Sequence, residues 1–341
     1  RECFRALTTP EAVTLVSSAG KVRASVPAGS KATADMVQTD EAFWSVFSFR
    51  FLSGAGFTRA DCDAGLPRAV LSATIARQLF GTTDVVGHTV QLNYIDYTVA
   101  GVVADVSMLA TAAYAQIWVP YTAADAESLS WQDDTMGPMH AVILAHSSAD
   151  FDAIRKETEL LRQKYNDGLR DVEIFYRGQP DTQLAYLYRR WYAEPDVPGV
   201  MLRYGIVIAI LLLVPAVNLS GMTLSRMRRR MAEIGVRKAF GATGGELIRQ
   251  VFFENFVLTL LAGVVGLALS YAATFLLNDF LFSNSTNAYL SGETALTPGM
   301  LLSPWAFIAA FAFCLLMNVL SAGIPAWRAS RMNITDAINQ R

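Results

Sequence analysis

The sequence predicts two architectures in one chain: an α+β extracytoplasmic domain over residues 1–198, then an all-α membrane domain over residues 199–341 with three visible transmembrane helices. Three observations predict this. Of the 341 residues 52% are hydrophobic and 17% charged, which is too apolar for a water-soluble chain of this length, and the excess lies beyond residue 198. Before that point short β-rich runs alternate with fewer helical patterns, which fits packed layers of sheet and helix. Beyond it a basic segment lies between two long apolar runs, and that asymmetry of charge orients the chain across a bilayer.

Within residues 1–198, strand-like runs occupy 21–26, 68–72, 89–92, 97–103, 116–119, 140–144 and 171–176, and each is rich in residues that suit a pleated surface. The clearest helix covers 150–165, where Phe151, Ile154, Thr158, Leu161 and Tyr165 line one face and Gly168 follows as a stop. Such a helix covers a sheet. Phe43, Trp44, Phe47, Phe49 and Phe51 crowd one stretch; the last three alternate as one face of a strand does, and core packing explains the group better than a ligand pocket. His88, His140 and His146 stand at no helical metal-ligand spacing and no HExxH or Cys/His set accompanies them, so no metal is assigned. There is no Gly-x-Ser-x-Gly elbow, and the chain is not expected to be an enzyme. Cys3, Cys62 and Cys314 form no CxxC pair, and a Cys3–Cys62 bridge is not expected.

Residues 181–203 pass from an aromatic-basic helix through Pro195 and Pro198 into the first visible span, and Tyr and Trp at such a boundary suit the interfacial zone. Spans are expected at about 203–222, 251–277 and 304–324, since at about 1.5 Å of rise per residue each crosses a hydrocarbon layer of about 30 Å. Pro215 and Asn218 in the first span are either a hinge or tolerated residues re-satisfied by neighbouring helices. In the second span Ala262, Gly266 and Ser270 repeat at four-residue spacing, a helix-packing stripe that lets another helix, of this chain or of a partner, approach closely. Asn318 and Ser321 offer interhelical hydrogen bonds in the third, and a cytoplasmic tail, 326–341, follows.

The loop between the first two spans, residues 225–250, carries seven Lys/Arg (Arg226, Arg228, Arg229, Arg230, Arg237, Lys238 and Arg249) against two acids, whereas residues 278–303 carry no Lys or Arg. The positive-inside rule therefore makes this loop cytoplasmic. It is also patterned: Met227, Met231, Ile234 and Lys238 recur at helical spacing, and Glu233 lies four residues before Arg237, the favourable orientation for a helical ion pair. Gly241 ends that short amphipathic helix, and Thr243 with Glu246 reads as a capping box that opens the next one.

The run 233–243, EIGVRKAFGAT, followed by a span, resembles the cytoplasmic loop of the MacB/FtsX family of ABC-transporter permeases. Residues 40–54, 69–72, 75–81, 86–87 and 97–103 are similar to the family's extracytoplasmic domain, and residues 325–338 to its C-terminus. Val85 and Ile334 stand where many members have Pro. The resemblance implies that the loop docks on a separate cytoplasmic ATPase, with Glu233, Gly235, Arg237, Lys238, Gly241 and Thr243 at or near the coupling surface; Glu246 joins them through its cap. The competing reading is that the arginines only set topology. It further implies a first transmembrane helix upstream of Arg1, making four, and a second permease subunit, as homo- or heterodimer. The location it implies is the bacterial cytoplasmic (inner) membrane.

These readings converge on a permease subunit that transmits ATP-driven motion to an extracytoplasmic domain, with efflux of a peptide, drug or other amphiphile as the first reading. Release of lipoproteins or regulation of cell-wall hydrolases is the alternative within the family, and a membrane-anchored receptor or scaffold the alternative outside it. A receptor would need one anchor. The chain has no Gly-x4-Gly-Lys-Ser/Thr loop, so no cofactor is expected in it and ATP would be bound by the separate ATPase. A periplasmic adaptor or outer-membrane channel among the partners would favour efflux. The net charge of −2 gives no case for nucleic acid, and nothing in the first 198 residues names a cargo.

Overall fold

The computed structural model describes residues 4–27, 29–108, 110–123, 137, 139–190, 193–241, 243–276, 305 and 307–317. They fall into two compact units, one whose main stretch ends at Glu194 and one that begins at Pro195.

The first unit is built on nine strands: β1 (Ala12–Ser17), β2 (Gly20–Ser25), β3 (Lys31–Thr39), β4 (Phe51–Gly54), β5 (Arg68–Ser72), β6 (Thr89–Leu92), β7 (Ile95–Val103), β8 (Ile117–Pro120) and β9 (Met139–Leu144). They form one mixed sheet in the order β2-β6-β7-β5-β8-β3-β1-β9, with β4 attached to β7. Because β2 also bonds β3, the first six strands of that order close into a ring. Among the described residues five α-helices accompany them, α1 (Phe43–Val46), α2 (Arg59–Asp63), α3 (Ala73–Phe80), α4 (Phe151–Asn166) and α5 (Gln183–Tyr188).

Local chemistry sets the element ends. Ser72 caps α3 by accepting from the Ile75 amide, and Gly81, at φ +78°, stops it by donating to Arg77 O. Alternation then builds the core: Val22, Ala24, Leu71, Val90, Val99 and Ile117 from the strands meet Ile75 and Leu79 of α3 in one cluster. A second cluster gathers Phe43, Phe57, Cys62, Val70, Val103 and Trp118. Each fully buried large side chain there contributes about 1.5–3 kcal/mol of transfer free energy. Where β4 leaves β7, the backbones come too close for a side chain, since a Cβ on Gly101 would lie 2.6 Å from Ala55 O.

Six of the seven strand-like runs contain a strand, and the seventh, 171–176, does not. Its backbone groups are taken by side chains: Asn166 Oδ1 accepts from Ile174 N, and Asn166 Nδ2 and Arg162 Nη1 donate to Ile174 O. Left-handed residues at Asp171 and Arg177 bracket it. Phe47, Phe49 and Phe51 do pack in the core around Phe43 and Trp118, but regular strand begins only at Phe51. Strands β1, β3 and β4 lie outside the expected set. Cys62 is a buried free thiol, which burial pushes up to about 12; Cys3 lies outside the described residues.

The second unit contains α6 (Val197–Ala239) and α7 (Gly244–Leu276), together with a shorter apolar helix, α8 (Phe307–Met317). Each of the first two contains a segment long and apolar enough to cross a membrane, Val197–Val214 and Phe252–Ala273, of which 0% and 6% is buried. The core helix of a soluble protein would bury this surface against its own chain, whereas here Ile206, Ile208, Leu211 and Leu213 stand exposed. The expected third span coincides with α8 over its described part; Asn318, Ser321 and the tail 326–341 lie outside the described residues. One expectation is corrected. The loop 225–250 is not a separate amphipathic helix after a span, because α6 continues without a break from the apolar segment to Ala239. Pro215 does not interrupt it.

Candidate functional site: the turn between α6 and α7

Four residues, 240–243, join the end of α6 to the start of α7. The amide of Phe240 donates to Val236 O at 3.1 Å and closes the last helical turn. Gly241 then reverses the chain at φ +92°, a left-handed conformation that costs an L-residue with a Cβ about 1–2 kcal/mol. A Cβ there would meet nothing within 4 Å, so conformation and not crowding calls for glycine.

Beyond the reversal, Thr243 and Glu246 form both halves of the capping box: Thr243 Oγ1 accepts from Glu246 N at 3.4 Å, and Glu246 Oε2 accepts from Thr243 N at 3.0 Å. Hydrogen bonds to the Glu246 carboxyl, from the Thr243 amide first and the Thr243 hydroxyl second, hold it below the usual range. The charge also suits the N-terminus of α7. Across the turn Arg237 Nη1 donates to Gln250 Oε1 at 2.7 Å, which fastens the last turn of α6 to the second turn of α7.

Of the residues singled out in the sequence, the turn brings Arg237, Gly241, Thr243 and Glu246 together, all exposed. Glu233, Gly235 and Lys238 fall within the last turns of α6; the side chains of Glu233 and Lys238, and with them the expected Glu233–Arg237 pair, lie outside the described residues. Sequence reasoning missed Phe240. Its ring is 89% exposed at the tip of the turn, and the available signal was an aromatic residue immediately before the glycine that ends a basic helix.

The small-residue stripe is exposed at Ala262, Gly266 and Ser270, and a Cβ on Gly266 would meet nothing within 4 Å. One step round α7, by contrast, Gly263 lies 3.4 Å from the Phe311 ring measured from its would-be Cβ, and Phe256 meets the same ring at 6.4 Å. So α8 packs against the Phe256–Gly263 face and not against the stripe. Among the described residues no group of three His, Cys, Asp or Glu could hold a metal ion.

Residues 4–161 match the MacB-like periplasmic core domain, and residues 205–334 the FtsX-like permease C-terminal region. Among full-length relatives, the pyoverdine export ATP-binding/permease protein PvdT of Pseudomonas aeruginosa is 25% identical over 298 residues, covering 87% of this chain and 41% of PvdT. The macrolide export ATP-binding/permease protein MacB of Chromobacterium violaceum is 26% identical over 305 residues, 89% of this chain and 43% of that protein. The uncharacterized ABC transporter permease YknZ of Bacillus subtilis is 25% identical over 301 residues, 88% of this chain and 68% of YknZ. The chain thus spans less than half the length of the first two. Among solved structures, the periplasmic region of MacB from Actinobacillus actinomycetemcomitans aligns with a TM-score of 0.38 at 20% identity, covering 47% of this chain and 70% of that one.

Proposed function

The chain belongs to the MacB/FtsX family of ABC-transporter permeases, and on that premise we propose that it transmits ATP-driven motion from a cytoplasmic ATPase to its own α+β domain outside the membrane. The observation that carries this reading is the continuity of α6. At 43 residues and 1.5 Å per residue it is about 65 Å long, roughly twice the hydrocarbon thickness of about 30 Å. It starts where the first unit ends and stops at the 240–243 turn, so one hydrogen-bonded rod joins the two ends of the path.

The turn is the surface on which the ATPase pushes. Its stiffness comes from the capping box and from the Arg237–Gln250 bond, and Phe240 is the anchor, since burying an exposed ring in a partner's pocket yields about 1.5–3 kcal/mol. Glu233, Gly235 and Lys238 flank that anchor on α6. Three spans lie in the bacterial cytoplasmic membrane, the third over 304–324, and a second permease subunit packs through Ala262, Gly266 and Ser270. The ATPase is a separate chain. Efflux of an amphiphile is the activity, a reading supported by the export named for PvdT and MacB.

Co-purification tests it. Co-expressed with an ABC-type ATPase, the chain should retain that ATPase. Phe240→Asp combined with Thr243→Ala should insert normally and lose the ATPase by about tenfold or more, which is 1.4 kcal/mol. Undiminished binding and undiminished coupling of hydrolysis would leave the turn a topological anchor.

A further inference from the structure

Within the first unit α4 grips two segments, an N-terminal one at residues 4–9, here the incoming segment, and one at residues 174–194 that leads on to α6, the outgoing segment. On the incoming side the Glu157 carboxylate accepts three hydrogen bonds, from Thr8 N and Thr8 Oγ1 at 2.7 Å each and from Thr9 N at 3.0 Å. On the outgoing side Arg162 and Asn166 bond both backbone groups of Ile174 at 2.7–3.0 Å, and Arg155 Nε donates to Pro180 O at 3.4 Å. The incoming grip joins residues 148 and 149 apart in sequence, whereas the outgoing one joins α4 to the chain that follows it, 8 to 25 residues on.

Helical spacing explains how one helix holds two segments. At about 100° per residue Arg155, Arg162 and Asn166 share one rim of α4, Glu157 stands on the rim roughly opposite, and the buried Ile154 and Thr158 lie between. The apolar stripe seats the helix and leaves a polar rim on each side. The two segments also touch directly, with the rings of Phe4 and Tyr176 stacked at 5.3 Å and 28°. The outgoing segment is itself locked: Arg189 and Asp181, each 8% exposed, pair through both carboxylate oxygens. The same guanidinium donates to Arg177 O at 3.1 Å and Ala193 O at 3.2 Å.

We propose that α4 is a strut that makes the incoming and outgoing segments one mechanical unit, so that a displacement arriving through α6 moves the α+β domain whole instead of peeling the outgoing segment from it. Delivery of that displacement rests on the function proposed above; the coupling of the two segments does not. The coupling is reciprocal, because a coupling free energy between two sites acts equally in both directions.

Hydrogen exchange on the full chain in lipid nanodiscs reads this out without any ATPase. Glu157→Ala, which alters only the incoming grip, should speed amide exchange over 174–179 by at least about fivefold, the low end of coupling between sites. Arg162→Ala, which alters only the outgoing grip, should do the same over 7–9. Glu157→Gln, which keeps the shape and one acceptor, should give a smaller effect of the same sign and guards against a misfolded variant. If each substitution loosens its own segment and leaves the other unchanged, there is no strut. Failure of the wild-type chain to bind an ATPase would overturn the proposed function and leave this result intact.

Discussion

Glu157 carries its charge against the pull of burial, which favours the neutral acid; the hydroxyls of Thr9 and Thr8, and then their backbone amides, outweigh it and bring the carboxyl from 4.5 to about 2. A carboxyl whose folded pKa is depressed contributes stability that is full above the unfolded value and is lost as pH falls through the folded one. Protection of the Thr8 and Thr9 amides should therefore hold above about pH 4.5 and decline between there and pH 2, a window that amide exchange at stepped pH would reveal. Glu157→Gln should flatten it. At Gly101 the constraint is steric: a Cβ would lie 2.6 Å from Ala55 O and 2.9 Å from Ala55 N, and backbone atoms cannot swing aside. Gly101→Ala should lower stability by about 1–3 kcal/mol, the cost of overpacking, measured as a shift in the denaturant midpoint; an unchanged midpoint would mean that β4 can move off β7 freely. What could be read residue by residue was short-range chemistry. Thr243 and Glu246 announce their mutual bonds three residues apart, whereas the Glu157 grip on Thr8 depends on 149 residues of intervening fold.

Among the elements, legibility followed composition. Strands β5, β6 and β9 are dense in branched side chains and show themselves. β3, which pairs with β1, β2 and β8, reads KATADMVQT and does not, because small and polar residues fill its buried positions. Asp35 is tolerated there since Tyr114 Oη donates to it at 2.8 Å, a bond that no local pattern predicts. The run 171–176 misled for the opposite reason, with strand-like residues whose backbone is claimed by Asn166 and Arg162. The helical seam of α7 was legible as spacing, but not which face meets which neighbour. The described part of α8 takes the Phe256–Gly263 face, and the proposal that a second permease subunit packs on the exposed stripe at Ala262, Gly266 and Ser270 can be tested directly. Gly266→Leu should break a permease dimer in detergent, seen as a drop in mass by light scattering. Unaltered mass would show the stripe to be mere lipid-facing surface.

For the molecule as a whole, apolar length was the legible feature, and α6 and α7 each contain a segment long and apolar enough to cross a membrane, because a sequence states locally whether a run is long enough. What the sequence understated was continuity. The residues change from apolar to basic at the expected boundary between span and loop, yet helix formation depends on backbone bonds and is indifferent to that change, so α6 runs through it to Ala239. Continuity is the mechanical point, since a rod passes on axial and rotational displacement while a flexible joint absorbs it. Inserting three glycines after Ser225 should therefore separate anchoring from transmission. Each glycine weakens the helix by about 1 kcal/mol relative to alanine, enough to open a joint just beyond the expected end of the first span at about 222 while leaving the turn and the α4 grip untouched. ATPase binding at Phe240 should survive, and the extracytoplasmic domain should keep its hydrogen-exchange pattern, while ATP-driven export falls several-fold in a vesicle assay. Replacing the same insertion with three alanines should restore more of the export, because the rod is rebuilt although its register is turned. Equal export from wild type and both insertions would mean that α6 is an anchor and that motion reaches the outer domain by another helix.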